Sequence, residues 1–385
     1  MKRRPTGSYQ STTAGGETVR AFVPAPLPPH PPLALEGDAR AAVDSALLAL
    51  GRLDGVSSVL PDTQLLLYTY VRKEAVLSSQ IEGTQSTLSD LLLFELKEAP
   101  GVPLDDVTEV SNYVRALEHG LKRLRGGFPF CNRLIREVHE ILLSRGRGAG
   151  KSPGEFRRSQ NWIGGSRPGN ARFVPPPPHD VPRAMGALEK FANDRATPAL
   201  LRAGLWHAQF ETIHPFLDGN GRVGRLMITL LLCAEGVLRE PMLYVSLFLK
   251  QNRARYYELL DLVRKEGDWE AWIAFFCEAA ASAAGSAVET AHRLLELARS
   301  DRERIARLGR GAGSAAAVQD ALIRTPVSTI PRLAQRTGLT LPTIAKALDV
   351  LLELEIASET TGRKRNRVYR YDQYLRILNE GTEPL

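Results

Sequence analysis

His214-Pro215-Phe216-Leu217-Asp218-Gly219-Asn220-Gly221-Arg222-Val223-Gly224-Arg225 holds a base, a hard-metal carboxylate, two loop glycines flanking an amide, and two guanidiniums. Pro215 biases His214 away from the α region, so the apolar helical pattern of Leu201, Leu205, Ala208 and Thr212 should end about there, leaving the imidazole at a helix end. Gly219 and Gly221 allow a tight turn with outward-facing amides, and Val223 to Leu232 reads as a buried helix. Turn amides joined to a helix N-terminus form an anion site. Arg222 and Arg225 stand three apart, share a face of that helix start and can hold further phosphate oxygens. Asp218 suits Mg²⁺, which takes one or two carboxylates plus substrate phosphates. Asn220 either bonds a phosphate oxygen or fixes the loop. With an unperturbed pKa of roughly 6.5, His214 can accept a proton near neutral pH. The stretch thus reads as a nucleotide-phosphate site without a P-loop lysine.

These residues match the motif His-Pro-Phe-x-Asp/Glu-Gly-Asn-Gly-Arg-x-x-Arg at every fixed position, and the chain resembles the Fic family. The resemblance implies a mainly α fold, a helical bundle with a short β-hairpin flap. It implies a protein adenylyltransferase, which moves AMP from Mg-ATP to a Tyr, Thr or Ser hydroxyl of a protein while pyrophosphate leaves. By that resemblance His214 is the general base and Asp218 holds Mg²⁺. Gly219, Gly221 and Asn220 cradle the α and β phosphates, and Arg222 and Arg225 take the β and γ phosphates. Ser78-Ser79-Gln80-Ile81-Glu82-Gly83 is similar to the family's inhibitory motif, in which the glutamate pairs with the second motif arginine, here Glu82 with Arg225. Ser78 and Glu82 are four apart on one helix face, and Gly83 is a plausible helix terminator. The enzyme is expected to carry its own brake in cis, to modify itself as well as a protein target, and to form a homodimer. Removal of AMP with Glu82 positioning water, or transfer of another phosphate-containing group, stays open, because donor choice depends on pocket shape.

Pro153 to Pro178 is rich in glycine and proline. Within it, Asn161-Trp162-Ile163 and Ala171-Arg172-Phe173-Val174 flank a glycine-containing turn, as two short strands flank a hairpin. This resembles the Fic flap, whose edge would take an extended target backbone as an added strand, with Gly165, Ser166, Phe173 and Val174 in contact with it. Asn252, with Tyr256 and Tyr257, falls where the family lines the base side of the nucleotide cleft. Gly146-Arg147-Gly148-Ala149-Gly150-Lys151-Ser152 imitates the end of a P-loop, but Arg145 stands where the first glycine belongs and Pro153 follows at once, so it reads as a flexible basic loop. His139 reads as a helix-face residue and His207 as a packed, hydrogen-bonded one.

At 385 residues and 43% hydrophobic content, two or three domains with a real core are expected. Cys131, Cys233 and Cys277 have no metal or disulfide spacing. Lys2, Arg3 and Arg4 are followed by no apolar leader region, and no apolar run reaches membrane-spanning length, so the expectation is a cytoplasmic protein with no membrane partner. The net charge of +7 permits anionic partners without naming one.

The expected organisation is a disordered tail at 1–20, an N-terminal helical region at 21–125 holding Glu82, a catalytic core at 126–308, a Gly/Ala/Ser linker at 309–314 and a small domain at 315–385. In the last, helices from Val318, from Ile330 and from Thr340-Leu341-Pro342 precede two short apolar stretches around the basic turn Gly362 to Arg367. The pattern is similar to the winged helix-turn-helix family, a small α+β domain. That resemblance would turn Thr340, Thr343 and Lys346 toward DNA, and Arg363, Lys364, Arg365 and Arg367 toward phosphates. The domain carries ten basic against eight acidic residues, a weak bias for a DNA reader, so docking to protein stays open. A regulator that binds DNA and senses nucleotide is the alternative of a different class.

Overall fold

A computed structural model describes residues 6–59, 64–96, 104–309, 311–363 and 366–384. The chain opens with an antiparallel hairpin, β1 (Gly7–Ala14) and β2 (Glu17–Pro24). Helices follow: α1 (Gly37–Val59), α2 (Gln64–Ile81), α3 (Leu88–Phe94), α4 (Leu104–Arg125) and α5 (Asn132–Leu142). Thr87 and Asp90 close a reciprocal capping box that starts α3. A long irregular stretch then leads to α6 (Val181–Ala192), α7 (Ala199–Ile213), α8 (Asn220–Ala234), α9 (Ser246–Gln251) and α10 (Arg253–Glu266). Helix α7 has no solvent face from Leu200 to Ile213. A helix buried all round belongs at the centre of a bundle, and α6, α8, α10 and α11 (Trp269–Ala306) pack around it.

Helix α11 is 38 residues long and runs on from the bundle to the C-terminal module. There α12 (Ala312–Arg324), β3 (Val327–Thr329), α13 (Ile330–Thr337), α14 (Leu341–Glu353), β4 (Ser358–Glu359), β5 (Val368–Arg370) and α15 (Asp372–Asn379) form a helical cluster beside a three-stranded antiparallel sheet ordered β3-β5-β4. Thr340 caps α14 by accepting from the Thr343 amide, with a proline in the first turn.

Three expectations need correction. Residues 7–24, assigned to a disordered tail and the start of the next region, form the hairpin; its alternating Val19, Ala21 and Val23 are buried, and Ala14, Val19 and Ala21 pack on Val174. The linker expected at 309–314 lies earlier, between the end of α11 at Ala306 and the start of α12 at Ala312. By length and composition alone, α11 is apolar enough to cross a bilayer, contrary to the sequence reading; 56% of its apolar window is buried inside the protein, as befits a core helix.

Candidate active site

Helix α7 ends where Pro215 requires it to. His214 caps it in the left-handed region at φ 49°, with its amide still bonded to Phe210. A non-glycine residue held there needs support from its surroundings, and Arg157 supplies it. The buried Arg157 guanidinium donates to the carbonyls of His214 (2.9 Å) and Pro176 (2.5 Å), and the Arg157 amide donates to Pro215 (2.9 Å).

The loop from His214 to Gly219 is stapled to α8 by Asn220. Its side chain accepts from the Phe216 amide and donates to the Phe216 carbonyl, both at 2.9 Å, so of the two roles open to Asn220 it takes the loop-fixing one. His139 braces the same loop from α5. Its ring stacks on Phe216 at 3.7 Å, its Nδ1 accepts from the Gly154 amide (2.8 Å), and its Nε2 lies 3.1 Å from the Asp218 carbonyl. That pattern fixes the neutral tautomer with the proton on Nε2, in keeping with burial lowering the pKa to about 4.

Gly219 precedes α8 in the left-handed region, and the first-turn amides of α8 have no intrahelical partner. Asp218 stands at the rim, one third exposed. Arg222 is buried, 2.8 Å from Glu109 Oε2 on α4 and 3.6 Å from Asp218 Oδ1. Arg147 also reaches Glu109, at 3.3 Å. The segment read as a flexible basic loop is therefore packed against the motif, and at Gly148, φ 90°, a Cβ would lie 2.8 Å from Asp218 Oδ2.

Arg225, one turn further along α8, is also buried. Its Nε donates to Ser78 Oγ (2.9 Å), and its Nη2 donates to Ser78 O (2.9 Å) and Glu82 Oε1 (2.8 Å). Helix α2 ends at Ile81, and Gly83 follows at φ 98°. Burial pushes the Glu82 carboxyl up, but the Arg225 guanidinium outweighs it and holds the group below its ordinary value. The same carboxylate lies against Gly221: a Cβ there would be 2.2 Å from Glu82 Oε1 and 2.8 Å from Arg225 Nη1. Glu82 thus lies against the first turn of α8, at the helix end that favours negative charge.

Glu82, Gly221, Arg225 and His214 open into one cleft of about 290 Å³, closed by Tyr256, Tyr257 and Arg264 of α10 and by Ile163, Arg172 and Phe173. Burial, with Arg157 and Arg264 nearby, lowers the His214 pKa to about 3, so the imidazole is neutral. Glu211, one turn earlier on α7, has Oε2 4.0 Å from His214 Nδ1, and burial raises its pKa to about 7. Glu211 Oε1 and Arg225 Nη1 are buried without a hydrogen-bond partner among the described residues.

Residues 40–122 match the model of the Fic/DOC family N-terminal region, and residues 129–232 match that of the Fic/DOC family. The chain holds a Fic domain preceded by the Fic/DOC N-terminal region. The curated relatives it matches include proteins named protein adenylyltransferase Fic from Drosophila ananassae and Drosophila melanogaster. Each is 30% identical over 203 residues, which is 51% of this chain and 38% of the relative. The chain therefore spans well under half the length of these relatives. Its fold is that of a Fic family protein from Desulfovibrio desulfuricans (TM-score 0.58, 22% identity, 89% of this chain and 98% of the other). It is also that of Fic-1 residues 134–508 from C. elegans (TM-score 0.51, 20% identity, 67% and 74%).

The structure brings His214, Gly221 and Arg225 of the Fic segment and Glu82 of the N-terminal region into one cleft, with Ser78 behind Arg225, and leaves Asn252 out. Asn252 bonds its amide to Phe248 between α9 and α10, and the turn after it supplies the wall instead. The flap is narrower than two strands, a single bridge between Ile163 and Phe173 with a 3-10 turn at Pro168–Asn170. Gly165 and Ser166 are exposed at its tip, but Phe173 and Val174 are buried. The Val174 carbonyl already accepts from Phe22 of β2 (2.9 Å), so at that residue the expected docking edge is taken by the protein's own hairpin. Glu109, His139, Arg157 and Glu211 were missed as parts of the site. Nothing local marks Glu109, His139 or Arg157, whose motif partners lie more than fifty residues away, and Glu211 gains its meaning only from burial beside His214.

The residues expected to face DNA lie apart, on the C-terminal module. Thr340, Lys346, Arg363 and Arg367 are exposed and Thr343 is half-buried, while Lys364 and Arg365 fall outside the described residues.

Proposed function

We propose that the chain is a protein adenylyltransferase restrained in cis by Glu82. What carries this reading is the Glu82 carboxylate seated on Gly221 and Arg225, in the same cleft as a neutral His214. An anion site at a helix N-terminus beside a base is suited to a triphosphate and an acceptor hydroxyl. ATP would lie with its phosphates along the start of α8, and Arg225 would take the terminal phosphate once Glu82 withdraws. His214 takes the proton of a Tyr, Thr or Ser hydroxyl. The hydroxyl oxygen then bonds to the α phosphorus as the bond to the bridging oxygen breaks, and pyrophosphate leaves. A lone, partly exposed carboxylate fits a metal completed by phosphate oxygens rather than a cage built of protein alone. Among the described residues no such cage occurs. Asp218 would hold Mg²⁺, which when bound neutralises phosphate charge.

Incubation with α-labelled ATP and Mg²⁺ should label the wild-type chain weakly, the Glu82→Gly chain roughly ten- to a hundredfold faster, and the His214→Ala chain not at all. The factor corresponds to loss of one charged hydrogen bond of about 1.5–3 kcal/mol. Absence of label in Glu82→Gly, with label from another nucleotide, would overturn the donor assignment.

We also read residues 312–379 as a winged helix-turn-helix, supported by the exposed Thr340, Lys346 and Arg363. Salt-dependent duplex binding that survives His214→Ala tests its use on DNA. No binding at low salt would leave protein docking as its role.

A further inference from the structure

The end of α2 that presents Glu82 to Arg225 is gripped from its other side. Gln80 is buried, and its Nε2 donates to Ser86 O (2.9 Å) and Thr382 O (2.8 Å). Its Oε1 accepts from Lys250 Nζ on α9 (2.7 Å), and the same ammonium reaches the carbonyls of Gly381 (3.3 Å) and Glu383. The segment that supplies those carbonyls is itself anchored. Asn379 donates to Ser89 Oγ on α3 (3.0 Å), and Arg293 of α11 binds both oxygens of Glu380 at 2.6 Å. Successive helix residues turn by about 100°, so Ser78 and Gln80 lie on opposite faces of one turn. One face is on Arg225, the other on the C-terminal segment.

We infer that Gln80 is a positioning residue for Glu82, clamped by Lys250 and the backbone of residues 381–383, so that the C-terminal module sets how firmly the anion site of α8 is filled. The inference rests on reading Glu82 as the inhibitory carboxylate. A slide of one residue along α2 moves its side chains by about 1.5 Å, enough to break a 2.8 Å contact between Glu82 and Arg225. A glutamine whose donors and acceptor are all engaged inside the protein resists such a slide, because leaving them unsatisfied is unfavourable. A partner that drew residues 379–383 away would loosen the brake without touching the cleft.

The test uses the full chain carrying Lys250→Met, with Lys250→Arg as the conservative control, and two readouts. The amides of Glu82, Gly83 and Thr84 bond to carbonyls of Ser79 and Gln80, so their hydrogen exchange reports the clamp without any catalysis. Exchange there should quicken roughly tenfold in Lys250→Met and stay near wild type in Lys250→Arg, the effect of one charged hydrogen bond. Labelling by α-labelled ATP should rise in Lys250→Met but be unchanged when the same substitution is added to Glu82→Gly. Unchanged exchange in Lys250→Met overturns the proposal, and so does reduced labelling in both backgrounds, which would mark Lys250 as merely structural. If Glu82→Gly takes no label, the transfer reading fails instead, and the exchange measurement still decides the clamp.

Discussion

Arg225 cannot remain unpaired, since a buried guanidinium stripped of its anion is strongly unfavourable. Glu82 meets it in this conformation. Glu211 is the other carboxyl beside it, kept protonated near neutrality by burial, with the Glu82 charge adding to the effect. That arrangement gives His214 a neighbour whose charge depends on pH. When Glu211 ionises 4.0 Å from Nδ1, it stabilises the imidazolium and makes His214 a stronger base. The acid limb of kcat/KM for labelling should therefore rise through pH of about 7 in the wild-type chain. It should move to lower pH in Glu82→Gly, which removes one cause of the raised value, and disappear in Glu211→Gln. A limb that stays in place in Glu211→Gln would assign it to another group.

At the scale of elements, the start of α8 is a seat for one anion, and Gly221 is what leaves room for it. Gly221→Ala would place a methyl 2.2 Å from Glu82 Oε1 and should evict the carboxylate. Because a phosphate needs the same space, the variant should lose the Glu82–Arg225 pair yet gain no labelling, unlike Glu82→Gly. Rapid labelling by Gly221→Ala would show that the two anions do not share the seat. The motif was legible because its residue types declare their chemistry within one loop: a proline that ends α7, glycines that turn, arginines on one face. Ser78 and Glu82 were legible for the same reason, as a short spaced signature. Glu109 and Arg157 were not, because a carboxylate on α4 and an arginine in an irregular stretch acquire meaning only when folding brings them to Arg222 and to the His214 carbonyl. The β1–β2 hairpin was hidden by its Ser, Thr and Gly content, which resembles a disordered tail until Val19 and Ala21 find Val174.

Across the whole molecule, buried titratable groups of opposite tendency partly offset each other. Burial lowers His139 to about 4 and His207 and His214 to about 3, while it raises Glu74 and Glu211 to about 7 and Glu109 by an amount in the same direction. As pH falls from 6.5 to 4.5, the unfolded chain protonates three histidines that the folded chain keeps neutral, which lowers stability. Over the same range the folded chain keeps glutamates protonated that the unfolded chain leaves ionised, which raises it. Three histidines against Glu74 and Glu211 leave a net of about one proton, roughly 1.4 kcal/mol per pH unit less whatever Glu109 offsets, so the midpoint of chemical unfolding should decline only gently across that window. Below 4.5 the unfolded glutamates are protonated too and the offset ends. The histidines then act alone until His139 itself takes a proton near 4, joined by Glu82, whose lowered value makes its pair with Arg225 an acid-labile one. Stability should fall there by roughly 4 kcal/mol per pH unit, three protons at about 1.4 kcal/mol each. Substituting Glu74→Gln and Glu211→Gln together removes most of the counterweight and should steepen that gentle decline, from pH 6.5 downward, to nearly that of the three histidines alone. A double variant whose midpoint declines no more steeply than the wild type's from 6.5 to 4.5 would mean that the histidines are not held neutral by the core.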